Sequence, residues 1–275
     1  MDLAGHVRPS FPADAFAGTA GYYVRYRVPY PKRLLRDLVD RSGVTGGGRL
    51  LDLACGPGRL AFDLASSFRE VWAIDLEPEM IETARKEDVR RGAGNIRWMV
   101  GRAESLEAPA ASFELITAGE AFHRLDQRIV AEQALKWLRP GCHLATLGCY
   151  TVLSGAEPWQ RIVVDAVRRW TSGTSQLGGD SGARNPGSGP DHNERVLREH
   201  GFVDVASHSF VEPHEWTLEA IIGYLYSTSV CSRNRLGNGA AGFEADLRAE
   251  LLSFDPGGVF RESTSWGYTI GRRPE

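Results

Sequence analysis

The chain has 275 residues, 42% hydrophobic and 24% charged, with a formal net charge of -3. This composition suits one large folded domain, or one domain plus a modest cap, and argues against a polyanion such as nucleic acid as partner. No stretch approaches the roughly 20 apolar residues of a membrane span, and residues 1–20 hold no signal-peptide core, so a cytoplasmic protein with no membrane partner is expected.

Cys55, Cys142, Cys149 and Cys231 form no C-x-x-C pair. They read as small buried residues in a reducing compartment, and no metal site is expected. Basic pairs such as Lys32-Arg33 and Arg168-Arg169 read as solvated helix faces. Lysines are few and arginines many, beside abundant Gly and Ala, which suggests a GC-rich genome.

Residues up to about 19 read as loosely structured. An aromatic and basic patch follows at Tyr22, Tyr23, Arg25, Tyr26, Arg27 and Tyr30, where Pro29 and Pro31 break any helix. Leu34, Leu35, Leu38 and Val39 set a helical period over residues 32–39. An apolar run at 49–54 leads into Cys55-Gly56-Pro57-Gly58, and a helix over 60–68 follows. Residues 71–75 read as a buried strand, and 79–90 as a helix with Pro78 suited to its first turn. Strands at 96–100 and 113–117, a helix over 129–138 ended by Pro140-Gly141, and a strand at 144–147 continue the alternation. That alternation predicts a doubly wound α/β sheet whose parallel strands are buried on both faces.

After Tyr150 the rhythm changes. Residues 158–170 have helical spacing, 173–189 are rich in Gly and Ser and read as a mobile loop, and 193–199 read as a helix. A sixth strand at 203–210, helices over 217–226 and 243–252, and a final strand at 264–270 complete the chain, with no internal repeat.

The strongest chemical signal is the glycine turn after the first strand. Glycines there permit a tight turn and close approach of a ligand to the backbone, at the strand end where open α/β sheets bind ligands. Asp75 ends the second strand roughly twenty residues later, where nucleotide-binding sheets place an acidic residue for ribose hydroxyls. A dinucleotide site fits less well. Gly56-Pro57-Gly58 lacks a third glycine, Ala61 standing in its place, and Pro57 removes a backbone donor that a pyrophosphate uses.

The run 50–60 resembles the first motif of the class I S-adenosylmethionine-dependent methyltransferases. Ala73-Ile74-Asp75-Leu76-Glu77-Pro78-Glu79-Met80 resembles their second motif, and Gly101-Arg102-Ala103-Glu104-Ser105-Leu106 their adenine-contacting segment. Residues 113–117 resemble the fourth strand and Leu138-Arg139-Pro140-Gly141 the turn before the fifth. The resemblance spans residues 22–150 and resumes weakly near the C-terminus. It implies a mostly parallel seven-stranded sheet and a division into lid and first helix (1–40), Rossmann-like cofactor core (41–150), cap with mobile loop (151–200) and C-terminal strands with inserted helices (201–275).

The same resemblance implies that the backbone of residues 54–58, with Ala54, Cys55, Gly56 and Gly58, surrounds the methionine part of S-adenosylmethionine, and that Asp52 is among the cofactor-binding residues. Asp75 takes the ribose, Ala103 and Glu104 lie at the adenine edge, Met80 is a candidate to cover the purine face, and Leu76 and Gly119 complete the cofactor-binding set. Two departures from the family pattern are Arg102, where many relatives carry an acid, and Cys142, where a second glycine is usual. For the acceptor side, His123 is the candidate general base and Glu120 a group to orient an amine or support a base. In the lid, Tyr22 is a candidate to touch the acceptor, Tyr23 the sulfonium, and Arg25 or Arg27 the methionine carboxylate. Trp159, Trp216, Tyr224 and Tyr226 are candidates to line an acceptor pocket, although aromatics at helical spacing also suit a core. The expected enzyme methylates a small molecule of secondary metabolism, an aromatic or heterocycle at O, N or C. An amino sugar, a protein or RNA acceptor, and a non-catalytic cofactor-binding module are the alternatives.

Overall fold

A computed structural model describes residues 14–171 and 189–275; most of the glycine-rich segment expected to be a mobile loop lies outside the described residues. In chain order the elements begin with α1 (Ala20–Tyr26), α2 (Lys32–Ser42), β1 (Arg49–Leu53), α3 (Arg59–Leu64), β2 (Glu70–Asp75), α4 (Pro78–Arg91), β3 (Ile96–Val100) and β4 (Phe113–Gly119). They continue with α5 (Gln127–Trp137), β5 (Leu138–Tyr150), α6 (Pro158–Trp170), α7 (Pro190–Glu199), β6 (Val203–Thr217), α8 (Leu218–Tyr226), α9 (Arg233–Leu236), α10 (Ala240–Phe254) and β7 (Val259–Arg272).

The strands form one seven-stranded sheet in the order β3-β2-β1-β4-β5-β7-β6. β1 to β5 are parallel, and β7 runs antiparallel to both β5 and β6. Successive strand residues feed opposite faces. Leu50, Val71 and Leu115 join the core beneath α2 and α3, while Leu51, Trp72 and Ile116 join the core beneath α5 and α7. Burial on both faces is why these strands read as unbroken apolar runs. The chain reverses direction of travel across the sheet between β1 and β4, and a crevice opens at their carboxyl ends.

The structure extends several expected elements. Pro29 and Pro31 end the helical region only after α1 has formed through Tyr26. β5 begins at Leu138, so the expected Pro140-Gly141 turn becomes an irregularity within the strand, with a register shift opposite it in β4. β6 continues through Pro213, tolerated because β6 is the sheet's edge and needs no N–H on its outer side. The segment 151–200 divides in two: α6 packs on α10, whereas α7 lies on the sheet against β6 and β7.

Gly58 caps α3 with a φ of 85°, and an added Cβ would overlap the Trp98 ring. Both the left-handed backbone and the missing volume are therefore required. Gly58→Ala is expected to cost about 2–4 kcal/mol, lowering the melting temperature by roughly 5–12 °C in a calorimetric scan. An unchanged melting temperature would show that Trp98 moves aside freely.

Candidate functional site

At the carboxyl end of β1, Ala54 takes a left-handed conformation (φ 50°), and beyond β4 Glu120 does the same (φ 54°). Neither is glycine, so each is held there at some energetic cost, a feature that gathers at functional sites. Glu120 is pinned by its N–H donating to the Leu147 carbonyl at 2.8 Å. Between these two strand ends lies a cavity of about 810 Å³, its open mouth included, which shares the walls Tyr23, Ala54 and Gly119 with a smaller one of about 240 Å³.

Asp75 organises the rim. Its Oδ2 accepts from the Gly56 N–H at 2.7 Å and its Oδ1 from the Glu77 N–H at 2.9 Å. It thus ties the glycine turn to the start of α4. Burial raises its pKa, and the hydrogen bonds from Glu77 and Gly56 oppose that rise. Leu76, Met80, Ala103 and Leu125 give one end of the cavity apolar walls. Glu104 closes that end, its Oε1 accepting from the Asp126 N–H at 3.0 Å.

The smaller cavity is lined by two residues of opposite charge type, the buried Asp52 and the partly buried Arg59, each with spare hydrogen-bonding capacity. Asp52 Oδ1 accepts from Thr117 Oγ1 at 2.7 Å, while Oδ2 has no hydrogen-bond partner. Burial pushes the Asp52 pKa up to about 7; the Thr117 hydrogen bond and the Ala61 N–H oppose the rise, and the Asp75 charge adds to it. Arg59 donates through Nη2 to the Val28 carbonyl between α1 and α2, and its buried Nη1 has no hydrogen-bond partner, with Glu120 at 4.0 Å. A buried unpaired polar atom is costly, so these two atoms mark where a ligand's own charges belong.

Residues 50–141 match the family described as a methyltransferase domain. Aklanonic acid methyltransferase DauC of Streptomyces sp. (strain C5) is 41% identical over 106 residues, 38% of this chain and 48% of that protein. Nocamycin O-methyltransferase of Saccharothrix syringae is 27% identical over 287 aligned positions, 94% of this chain and 96% of that protein. Over residues 50–141, about a third of the chain, the core resembles a methyltransferase domain. Its fold is shared with YcgJ of Bacillus subtilis (TM-score 0.57, 18% identity, 89% of this chain and 100% of that one). It is also shared with Haemonchus contortus phosphoethanolamine N-methyltransferase 2, solved with S-adenosyl-L-methionine (TM-score 0.53, 15% identity, 96% of this chain and 57% of that one). The match spans about half the length of DauC, 48%, so the likeness to that relative is one of the methyltransferase core.

In this methyltransferase domain the cofactor residues expected from sequence largely converge. Tyr23, Ala54, Gly56, Asp75 and Leu76 line the larger cavity, as do Met80, Ala103, Glu104 and Gly119. Asp52 and Cys55 line the smaller one. Gly58 lines neither and instead starts α3 beneath the turn. Arg27 also lines neither cavity: its Nε donates to Ser227 Oγ at 2.9 Å, and its Nη1 lies 3.6 Å from Glu120. Arg25 sits on the surface with Glu219 at 3.2 Å.

The acceptor candidates divide differently. Glu120 faces the larger cavity, but His123 does not line it and accepts a hydrogen bond from Arg124 Nε at 3.2 Å. Tyr22 is packed between the rings of Tyr26 and Tyr226, away from both cavities. The four aromatics proposed for an acceptor pocket are core residues. Trp159 donates to the Arg261 carbonyl at 3.1 Å, and Trp216 to Glu262 at 2.6 Å. Tyr226 donates to Glu244 at 3.1 Å, and Tyr224 packs edge-on to Trp216.

Sequence reasoning missed Phe16, whose ring roofs the larger cavity, lying edge-on to Tyr23 and 4.5 Å from the Arg124 guanidinium. It also missed Arg59; Tyr30 belonged to the aromatic and basic patch and Arg124 stood beside His123, neither with a role of its own. For Arg59 there was a signal. A cation in the first turn of a helix opposes the helix dipole, which asks for a reason beyond solvation.

Proposed function

We propose that this chain is an S-adenosylmethionine-dependent O-methyltransferase acting on a small-molecule secondary metabolite. The observation that carries the reading is the Asp52–Arg59 pair with buried, unpaired Oδ2 and Nη1 at the end of a nucleoside-sized cavity. The amino-acid end of the cofactor carries an ammonium and a carboxylate, and these two atoms are their complements. The residues therefore fit the group. Asp52 would take the ammonium, Arg59 the carboxylate and Asp75 the ribose hydroxyls, while Leu76, Met80 and Ala103 would enclose the purine.

The bound cofactor supplies an activated methyl group. The chain's task is to exclude water with Phe16 and Tyr23, fix the donor, and hold an acceptor oxygen in line. The names of aklanonic acid methyltransferase and nocamycin O-methyltransferase support a small natural product and oxygen as the acceptor atom. The net charge of -3 supports an acceptor other than nucleic acid, and among the described residues no helix is long and apolar enough to cross a membrane.

The test is calorimetric titration with S-adenosylmethionine and S-adenosylhomocysteine, followed by transfer of labelled methyl to a panel of small hydroxylated and carboxylated aromatics. Saturable binding with label in one acceptor is the expected outcome, and binding of neither compound sinks the reading. Arg59→Leu sharpens it. S-adenosylhomocysteine should bind about 10- to 100-fold more weakly, the worth of a charge-assisted hydrogen bond, while adenosine, which has no carboxylate, should bind unchanged. Equal losses for both would place Arg59 in the scaffold only.

A further inference from the structure

A second cavity of about 680 Å³, open to solvent, lies between the lid–α2 junction and the part of the β6–β7 hairpin that continues past β5. Tyr30 is a wall of this groove and of the smaller donor-side cavity, where its hydroxyl lies over Gly119. Among the described residues, Tyr30 is the one common to the walls of the groove and of the space assigned to the cofactor's methionine end. On the groove side the Tyr30 ring packs 5.0 Å from Trp266, whose buried indole N–H has no hydrogen-bond partner. Pro29, Pro31 and Pro213 add flat apolar surface.

The groove's charge is one-sided. Lys32 and Arg33 stand at its edge against a single carboxylate, Glu212, which Arg33 engages at 2.5 Å. His214, against the Trp216 ring, adds no negative charge, and burial lowers its pKa so that it stays neutral at pH 7. Flat apolar walls, an unused indole donor and surplus positive charge together suit a planar aromatic acid.

We propose that this groove is the methyl-acceptor site, that it takes an aromatic carboxylate, and that Tyr30 is the movable partition between acceptor and donor. The inference rests on the methyltransferase reading above. A carboxylate is ionised at neutral pH, so no base must remove a proton. Its oxygen forms the new bond to the methyl carbon as the methyl–sulfur bond breaks, and that electron pair stays on sulfur. This agrees with the donor side, where no histidine lines either cavity among the described residues.

The experiment uses the full chain saturated with S-adenosylhomocysteine, titrated calorimetrically with 2-naphthoic acid and with 2-naphthamide. The acid should bind about two- to fivefold more tightly than the amide. Lys32→Glu should erase that preference while leaving S-adenosylhomocysteine affinity unchanged. Lys32 is exposed at the start of α2, where an acidic residue is favourable, so the variant folds. Acid and amide binding alike, no binding of the acid, an indifferent Lys32→Glu variant, or a naphthoate that S-adenosylhomocysteine displaces would each overturn the proposal. If S-adenosylhomocysteine itself fails to bind, the methyltransferase reading falls first, and that result is seen before naphthoate is added.

Discussion

Asp52→Asn is expected to make the ligand-free protein more stable at pH 8 and worse at binding its cofactor. In the folded chain Asp52 holds its proton up to about pH 7, whereas an exposed aspartate releases it near 3.8. The folded state therefore binds that proton more tightly than the unfolded state. The resulting penalty on stability is absent below about pH 4, grows as pH rises to about 7, and is complete above it. An amide carries no such penalty and can still accept the Thr117 hydrogen bond. The gain is on the order of 2–4 kcal/mol at pH 8, or roughly 5–12 °C in melting temperature, shrinking toward zero at pH 4. The cost is the ammonium partner, with S-adenosylhomocysteine binding about 10- to 100-fold weaker at pH 8. Wild-type affinity should rise relative to the variant's as pH increases through 7, because only the ionised carboxylate attracts the ammonium. Melting curves and titrations at pH 5, 6, 7 and 8 check both arms. Superimposable curves for the two proteins would remove Asp52 from the site and from the stability balance together.

Asp75→Ala should be the more damaging change to binding. It removes the expected ribose acceptor and also releases the N–H groups of Gly56 and Glu77, which Asp75 holds at 2.7 and 2.9 Å. The glycine turn then loses its tie to α4, so the pocket is disordered as well as depleted. About 100-fold weaker binding of S-adenosylhomocysteine is expected. Asp75→Asn should lose about tenfold, because its amide oxygen preserves one of the two ties. Calorimetry on both variants decides the matter, and wild-type affinity in the alanine variant is incompatible with the assigned role.

The elements built on β1, β2 and β4 were legible in the sequence because their signals are contiguous. A buried parallel strand is an apolar run, the turn after it needs glycine, and Asp75 follows at a set spacing. The later part was less legible for a physical reason. Trp159, Trp216, Tyr224 and Tyr226 carry the same spacing whether they face a cavity or a core, and only packing decides; here all four are buried, the indoles of Trp159 and Trp216 donating inward. The outer halves of β6 and β7 alternate buried and exposed residues on a two-stranded extension, so they lack the apolar run that marked β1. Arg27 and Arg59 lie 32 positions apart in the sequence yet both approach Glu120, a convergence that no local pattern encodes.

The seating of α1 has a consequence for how long a ligand stays. A seven-residue helix has negligible stability by itself, and α1 borrows its order from α8. Tyr26 sits against Gly223, where any side chain would collide with its ring, and its hydroxyl donates to Glu219 at 2.8 Å. Arg27 reaches Ser227 one turn further along. On the other side, α1 is preceded by the Gly18 N–H, which donates to Glu79 of α4 at 2.7 Å. The seam with the fewer bonds is accordingly the one towards α4, while α8, whose Ile221, Ile222 and Leu225 are buried in the core, is the fixed base on which α1 sits. Weakening the Gly18–Glu79 contact is therefore expected to shorten product residence, read as a faster dissociation rate of S-adenosylhomocysteine, whereas a side chain at Gly223 is expected to unseat α1 altogether.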